Sequence, residues 1–286
     1  MNALVSILFD GLAYGMVLFA IAVGLSVTMG LMGFINLAHG VFAMAGGYAT
    51  VSLTETAGLG FVPALLLAAV LVAVASLPLE RWLYAPLYRA GELDQVLLSI
   101  GLVLMATAAF SYAYGPDPRT VDLPATLSGQ IDLGFRSFPA YRALLIAVGL
   151  GLALVLWLGI ERTLLGARIR AAVANRRMAE AVGIDVARLF RLCFALGSGL
   201  AALGGGLAVN VLGLGPNFAI QYLVLFLIVV AVGGLGTVSG PFLAALLIGT
   251  VDTAGKYLWP AGGGFFIYAL TVGLLLLRPH GLRRRF

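Results

Sequence analysis

The chain predicts an all-α, polytopic transmembrane bundle of about eight or nine membrane-crossing helices, with a further helix on the cytoplasmic side. Three observations carry this. Of the 286 residues, 62% are hydrophobic and only 10% charged, with a mean hydropathy of +1.07, whereas a soluble domain carries roughly a quarter charged residues. The apolar residues come in blocks of about 20, the length that crosses roughly 30 Å of hydrocarbon as a helix. The ten-residue alternation of a membrane β-barrel is missing.

Taken in order, the spans fall near residues 4–29, 35–54, 61–80, 95–114, 141–160, 190–212, 217–235, 240–258 and 264–278. The first run lacks the basic flank of a cleavable signal and leads straight into more membrane sequence. The second is rich in glycine and alanine and reads either as a full span or as a broken, re-entrant helix. That leaves the count at eight or nine and the side of the N-terminus open. The whole of 1–286 reads as a single transmembrane domain.

Arginine sets the orientation. The segment 162–189 and its immediate flanks hold seven arginines (162, 168, 170, 176, 177, 188 and 191) against Glu161, Glu180 and Asp185, and the tail RPHGLRRRF holds four with no acid. Both belong in the cytoplasm, and the even number of spans between them agrees. The loop 115–138 carries three acids, two arginines and three prolines and falls outside. The net charge of +5 is thereby an orientation signal, and no nucleic-acid partner is needed to explain it.

Small residues recur inside the spans. Ser198, Ala202 and Gly206 stand four apart, a spacing that lets a neighbouring backbone approach closely. GVFAMAGGYAT (40–50) faintly resembles GPFLAALLIGT (240–250); a parallel internal repeat and shared composition both account for it.

The missing chemistry is informative. Ion-driven transporters need Asp, Glu or His relays within the bilayer, where each charge is costly. Here Asp252 is the one acid deep in a span, and Lys256, four residues on, can neutralise it on the same face. Lys256 is also the only lysine, and GTVDTAGKY fails as a P-loop in its glycine spacing and in Tyr257, which stands where Ser or Thr would hold magnesium. The single cysteine, Cys193, leaves no disulfide or multi-cysteine metal site. No catalytic constellation, metal or cofactor site is expected, so the energy must come from elsewhere.

The segment RTLLGARIRAAVANRRMAEAVGIDVARLFRL is the place for such coupling. From Ala167 to Val182 it favours helix, with Gly183 where a C-terminal cap belongs. On that helix Ala171, Ala174, Met178, Ala181 and Val182 share one arc, with the charges on the rest. Such a stripe docks into a groove on another protein or lies on anionic lipid.

Asn36 and His39, between two apolar runs, are three apart and share a face if helical. An amide and an imidazole at membrane depth must point away from lipid. Two roles stay open: packing or capping, Asn36 being a good N-cap residue, and lining a translocation path.

GLMGFINLAHGVFAMAGGY, PLERWLYAPLYRAGELDQVLLSIGL (78–102), ANRRMAEAVGIDVARLF (174–190) and VVAVGGLGTVSGPFLAALLIG (229–249) together resemble the LivH-type permease subunits of bacterial ABC importers for branched-chain amino acids. The resemblance covers nearly the whole chain. It implies an inner-membrane permease that carries a branched-chain or other hydrophobic amino acid. Its implied partners are a second, homologous permease of LivM type, two cytoplasmic ATP-binding subunits and a periplasmic or extracellular solute-binding protein. The family's Asn-Leu-Ala-His-Gly run matches at Asn36, Leu37, Ala38, His39 and Gly40, and its coupling motif around Ala179, Gly183 and Ile184. Related permeases carry amides or urea, so scaffold motifs do not fix the substrate. An ion-coupled secondary transporter and a non-transporting membrane scaffold are the remaining readings.

Overall fold

Each apolar run becomes a helix in the computed structural model, which describes residues 2–34, 36–132, 137–278 and 281–282. The first four runs give α1 (Asn2–Met32), α2 (His39–Glu55), α3 (Phe61–Leu79) and α4 (Glu92–Tyr114). The 115–138 loop holds a single turn, α5 (Ala125–Ser128), and an antiparallel pair, β1 (Gln130–Asp132) and β2 (Ser137–Pro139), with Ile131 opposite Phe138. Then come α6 (Ala140–Glu161), α7 (Leu164–Ala174), α8 (Arg176–Ala181), α9 (Val186–Leu212), α10 (Phe218–Gly233), α11 (Ser239–Leu258) and α12 (Phe265–Leu277). Among the described residues, five stretches suffice by length and composition to cross a membrane: Ala3–Gly30, Phe61–Tyr88, Glu92–Tyr114, Ala140–Ile160 and Val186–Leu212. The chain is a helical membrane protein.

α1 is the axis. Leu18, Phe19, Ala20, Ile21, Ala22, Val23 and Leu25 are completely buried, the pattern of a helix that is apolar all round and enclosed by others. α11, α9, α6 and α10 wall it in. Lipid is as apolar as leucine, so these helices are held by close van der Waals contact rather than by expulsion of water, and small residues set the distance. Gly15 faces the Ala245 carbonyl of α11 at 2.7 Å from where a Cβ would stand, and Gly24 meets Gly197 of α9. The four-residue spacing read in α9 is used for packing: Ala202 touches Gly46 of α2, and Gly206 faces Thr50 and Leu65.

The two ends of the bundle differ. α6, about 33 Å long at 1.5 Å per residue, separates the 115–138 loop from α7 and α8. Asp10 pairs with Arg142 at the start of α6, while Val27 packs with Ile169 and Val186 at the other end. The beginning of α1 therefore shares its end of the bundle with the 115–138 loop. Ser52 bonds Tyr114 there at 2.8 Å, and the Arg119 amide donates to the Leu214 carbonyl, also at 2.8 Å. The predicted Asp252–Lys256 pair forms at 2.7 Å, with Asp252 2% exposed and the ammonium 5.7 Å above the Tyr14 ring. In the arginine-rich tail, residues 279–280 and 283–286 lie outside the described residues.

Two expectations change. The second span begins at His39, not near 35. The predicted 167–182 helix is two helices, α7 and α8, set apart at Asn175.

Candidate functional site

The break in the 162–189 segment has a local cause. Asn175 lies in extended backbone (φ −155°, ψ 99°), and its side-chain oxygen accepts the Met178 amide at 3.0 Å, starting α8. Asparagine competes with the helix for backbone groups and is a strong N-cap, which outweighs the helix preference of its alanine and arginine neighbours. Ala171, Ala174, Met178, Ala181 and Val182 consequently do not form one helical stripe. All five are nonetheless exposed, Met178 to 61% and Val182 to 73%. Gly183 has φ +86°, its amide bonds the Glu180 carbonyl, and the Ile184 amide bonds the Ala179 carbonyl; these two bonds make the glycine cap that the sequence predicts. Gly183 is exposed and Ile184 half-buried. Ala179 points the other way. It is 3% exposed and packs with Ile169, Ala172, Leu189, Phe190 and Cys193, so it seats the segment on the bundle.

What holds this segment was not singled out in the sequence. Pro78 sits inside α3 and lacks the N–H that the helix ladder needs. The chain goes on as a π-helical turn, Glu80–Tyr84, and a 3-10 turn, Ala85–Arg89. The turn buries Glu80 to 2% exposure, where it accepts the Tyr88 hydroxyl at 2.7 Å and faces Arg191 of α9 at 3.6 Å. Arg176 of α8 lies over the Phe190 ring at 5.6 Å and bonds Glu180 at 2.9 Å. Glu80, Tyr88, Arg176, Phe190 and Arg191 line a pocket of about 370 Å³ bounded by α8, α9 and the two turns that follow α3. A buried, paired carboxylate ties the turns after α3 to α9, the helix on which α8 rests through Arg176 over Phe190. Its sequence signal was an acid just past a proline at a span's end.

Asn36 and His39 lie in the second region of interest. Both are buried, at 2% and 1% exposure. The Asn36 side-chain oxygen accepts the Ala38 amide at 3.1 Å and the Tyr84 hydroxyl at 3.3 Å. Ala38, not Asn36, holds the N-cap position of α2; the amide instead closes a turn one residue earlier, and its Nδ2 has no partner among the described residues. The His39 Nε2 donates to the Ile21 carbonyl at 3.0 Å, which fixes the neutral tautomer with the proton on Nε2. Asn36 lies outside the helix, so the shared helical face predicted for the two residues does not exist.

Ile21 is eleven residues from the end of α1, about 16 Å along its axis. α2 therefore begins well inside the bundle rather than at its edge. Irregular backbone at membrane depth survives only where protein encloses it, and Asn36 supplies one of the bonds it needs. α10 starts beside it: a Cβ on Gly40 would stand 3.1 Å from the Ala219 Cα. The exposed Asn217 and Gln221 flank that contact. They too were passed over in the sequence, where two amides in the run PNFAIQYLVLFLIVV were the only hint.

With this geometry in view, comparison with known proteins decides the family. A family model for the permease component of branched-chain amino acid transport systems matches residues 7–275. The chain belongs to this permease family. Among relatives of this permease, BraD of Pseudomonas aeruginosa, a high-affinity branched-chain amino acid transport system permease protein, is 29% identical over 97% of this chain and 95% of its own length. LivH of Escherichia coli and LivH of Salmonella typhimurium, of the same description, are each 26% identical over 97% of this chain and 94% of their own. The permease is a transport subunit. Among its described residues, no three of His, Cys, Asp and Glu gather as a metal site.

Proposed function

We propose that this permease is the membrane subunit of an ATP-driven importer for branched-chain or other hydrophobic amino acids in the cytoplasmic (inner) membrane. ATP binding and hydrolysis occur on two separate subunits, a second homologous permease completes the pore, and an external binding protein delivers the ligand. The supporting observation is that Ala171, Ala174, Met178, Ala181 and Val182 are exposed at the arginine-rich end, on a segment seated on the bundle by Ala179 and by Arg176 over Phe190. Several acids in or beside the spans are paired: Asp252 with Lys256, Asp10 with Arg142, Glu80 with Tyr88 and Arg191. That leaves them poorly suited to ferry protons and favours an energy source on another chain. Alternating access then moves a small zwitterion inward along a path without strong charges to trap it. Asn36 and His39 act here as packing groups that hold the start of α2.

The test is reconstitution of the permease with its partner permease, ATPase subunits and binding protein in proteoliposomes. Leucine uptake should need ATP, should persist when proton and sodium gradients are collapsed, and should exceed uptake of urea or acetamide. Ala181→Glu, at an exposed position on the docking face, should lower uptake and stimulated ATP hydrolysis together. A docking loss of ~2–3 kcal/mol weakens ATPase association more than tenfold. Uptake driven by an ion gradient after ATP depletion would refute the proposal.

A further inference from the structure

The cavity of about 370 Å³ beside α8 is as large as many small-molecule sites. Its place in the membrane follows from two helices. α3 runs from Phe61 to Leu79 without a charge, 19 residues or roughly 28 Å, and residues 192–212 of α9 are equally uncharged. Glu80, Arg81 and Arg191 are the first charges beyond these apolar runs, so they stand where hydrocarbon gives way to water. Arg81, Pro86 and Ala187 are exposed along the rim. Dissolved molecules therefore reach the cavity from the arginine-rich end.

Its polar groups are incompletely paired. The buried Nε of Arg191 has no hydrogen-bond partner among the described residues. It faces Glu80 Oε2 at 3.6 Å, an ion pair too long for a hydrogen bond. The other oxygen of Glu80, Oε1, accepts the Tyr88 hydroxyl. Arg81 pairs with no described carboxylate, while Arg176 is held by Glu180. The cavity thus offers free donors on two guanidiniums, a carboxylate oxygen that accepts no hydrogen bond from described residues, and small apolar surfaces from Ala85, Pro86 and Ala187. A buried donor without a partner carries a desolvation cost that a bound acceptor removes. A plain anion would satisfy the donors alone and be repelled by Glu80. A zwitterion satisfies both.

We propose that this cavity binds a free α-amino acid with a small aliphatic side chain, and that its occupancy slows further import. The carboxylate accepts from Arg81 and Arg191, the ammonium donates to Glu80 Oε2, and the side chain lies against Ala85, Pro86 and Ala187. Feedback follows from where the walls originate. Arg81 belongs to the turns after α3, Arg191 to α9 and Arg176 to α8. A ligand among them clamps the segment that docks the ATPase to the end of α3, and alternating access needs these elements to shift against one another. The feedback rests on the importer reading above; the binding of a zwitterion rests on the cavity alone.

Calorimetry on the full-length permease measures the binding directly. Leucine should bind, whereas leucinamide, which lacks the carboxylate, and N-acetylleucine, which lacks the ammonium, should each bind about tenfold more weakly or worse. Arg81→Gln, at an exposed and unpaired position, should weaken leucine binding about tenfold, and Arg81→Lys less. Arg162→Gln, at the same end but outside the cavity, should leave it unchanged. The complete transporter is then placed in proteoliposomes with ATP and leucine inside and loaded binding protein outside. Internal leucine at about four times its dissociation constant should leave about a fifth of the stimulated ATP hydrolysis, and Arg81→Gln should relieve that inhibition. If N-acetylleucine or inorganic phosphate binds as tightly as leucine, the cavity is a general anion site and the proposal fails. It fails equally if Arg81→Gln leaves the leucine affinity unchanged. Should wild type bind no leucine while Arg81→Gln weakens ATPase co-purification, the cavity receives an acidic side chain of the ATPase instead, and the proposal is overturned. Leucine bound through Arg81 in a transporter that moves no leucine would keep the site and overturn the importer reading.

Discussion

Gly205 and Gly101 are both helical glycines, yet the space around them is opposite. A Cβ at Gly205 of α9 would overlap the Ala43 carbonyl of α2, whereas at Gly101 of α4 nothing lies within 4 Å. The first contact is backbone against backbone, so no side chain can rotate away, and α2 and α9 would have to separate. Overpacking of this kind costs ~1–3 kcal/mol, while alanine for glycine in an unobstructed helix gains ~0.5–1 kcal/mol. Gly205→Ala should therefore lower the thermal unfolding midpoint of the detergent-solubilised permease, and Gly101→Ala should leave it unchanged or raise it. Equal midpoints for the two variants would mean that the α2–α9 contact is slack. Sequence alone could not separate these glycines, because their difference lies in a neighbour more than 100 residues away, not in spacing. Asn36 and His39 were legible as polar groups that must avoid lipid. Their partners, Tyr84 and Ile21, were not, since nothing in a 3.6-residue period says which carbonyl a buried imidazole will meet.

At the scale of elements, the nine apolar runs were readable because lipid enforces internally bonded helices of about 20 residues. Where lipid does not rule, the reading slipped. Residues 36–38 are held by protein, and α2 could begin late because Asn36 and Tyr84 replace helical bonds. In the 162–189 segment, summed propensity favoured one helix, but Asn175 divides it. That division turns α8 relative to α7, so Met178 and Val182 no longer share one helical arc with Ala171 and Ala174. Asn175→Ala removes a cap worth about 1 kcal/mol and favours fusion of α7 with α8. Uptake should drop and ATPase co-purification should weaken, while Asn175→Asp, which keeps the capping oxygen, should retain most activity. Wild-type coupling in Asn175→Ala would show that the angle between α7 and α8 is immaterial.

Over the whole molecule, arginine distribution and helix packing bear on the same question from independent directions. The seven arginines of the 161–191 region predict that this end is cytoplasmic, and α6 carries the 115–138 loop to the opposite end. Sequence left the side of the N-terminus undecided, because a re-entrant second run would change the parity of crossings. Packing supplies what parity could not: the Asp10–Arg142 pair ties the start of α1 to the start of α6, at the 115–138 end. The beginning of α1 should therefore face outward, with the 161–191 segment inside. Cysteines at exposed positions read this directly, in a Cys193→Ser background that removes a thiol already buried in the structure. Ala3→Cys and Ser128→Cys should label in intact spheroplasts with a membrane-impermeant maleimide, and Arg177→Cys only after permeabilisation. Should Ser128→Cys label from outside while Ala3→Cys needs permeabilisation, α1 would have to run in the reverse sense relative to α6. The Asp10–Arg142 pair could not then form, and the enclosed placement of α1 would be wrong at its root.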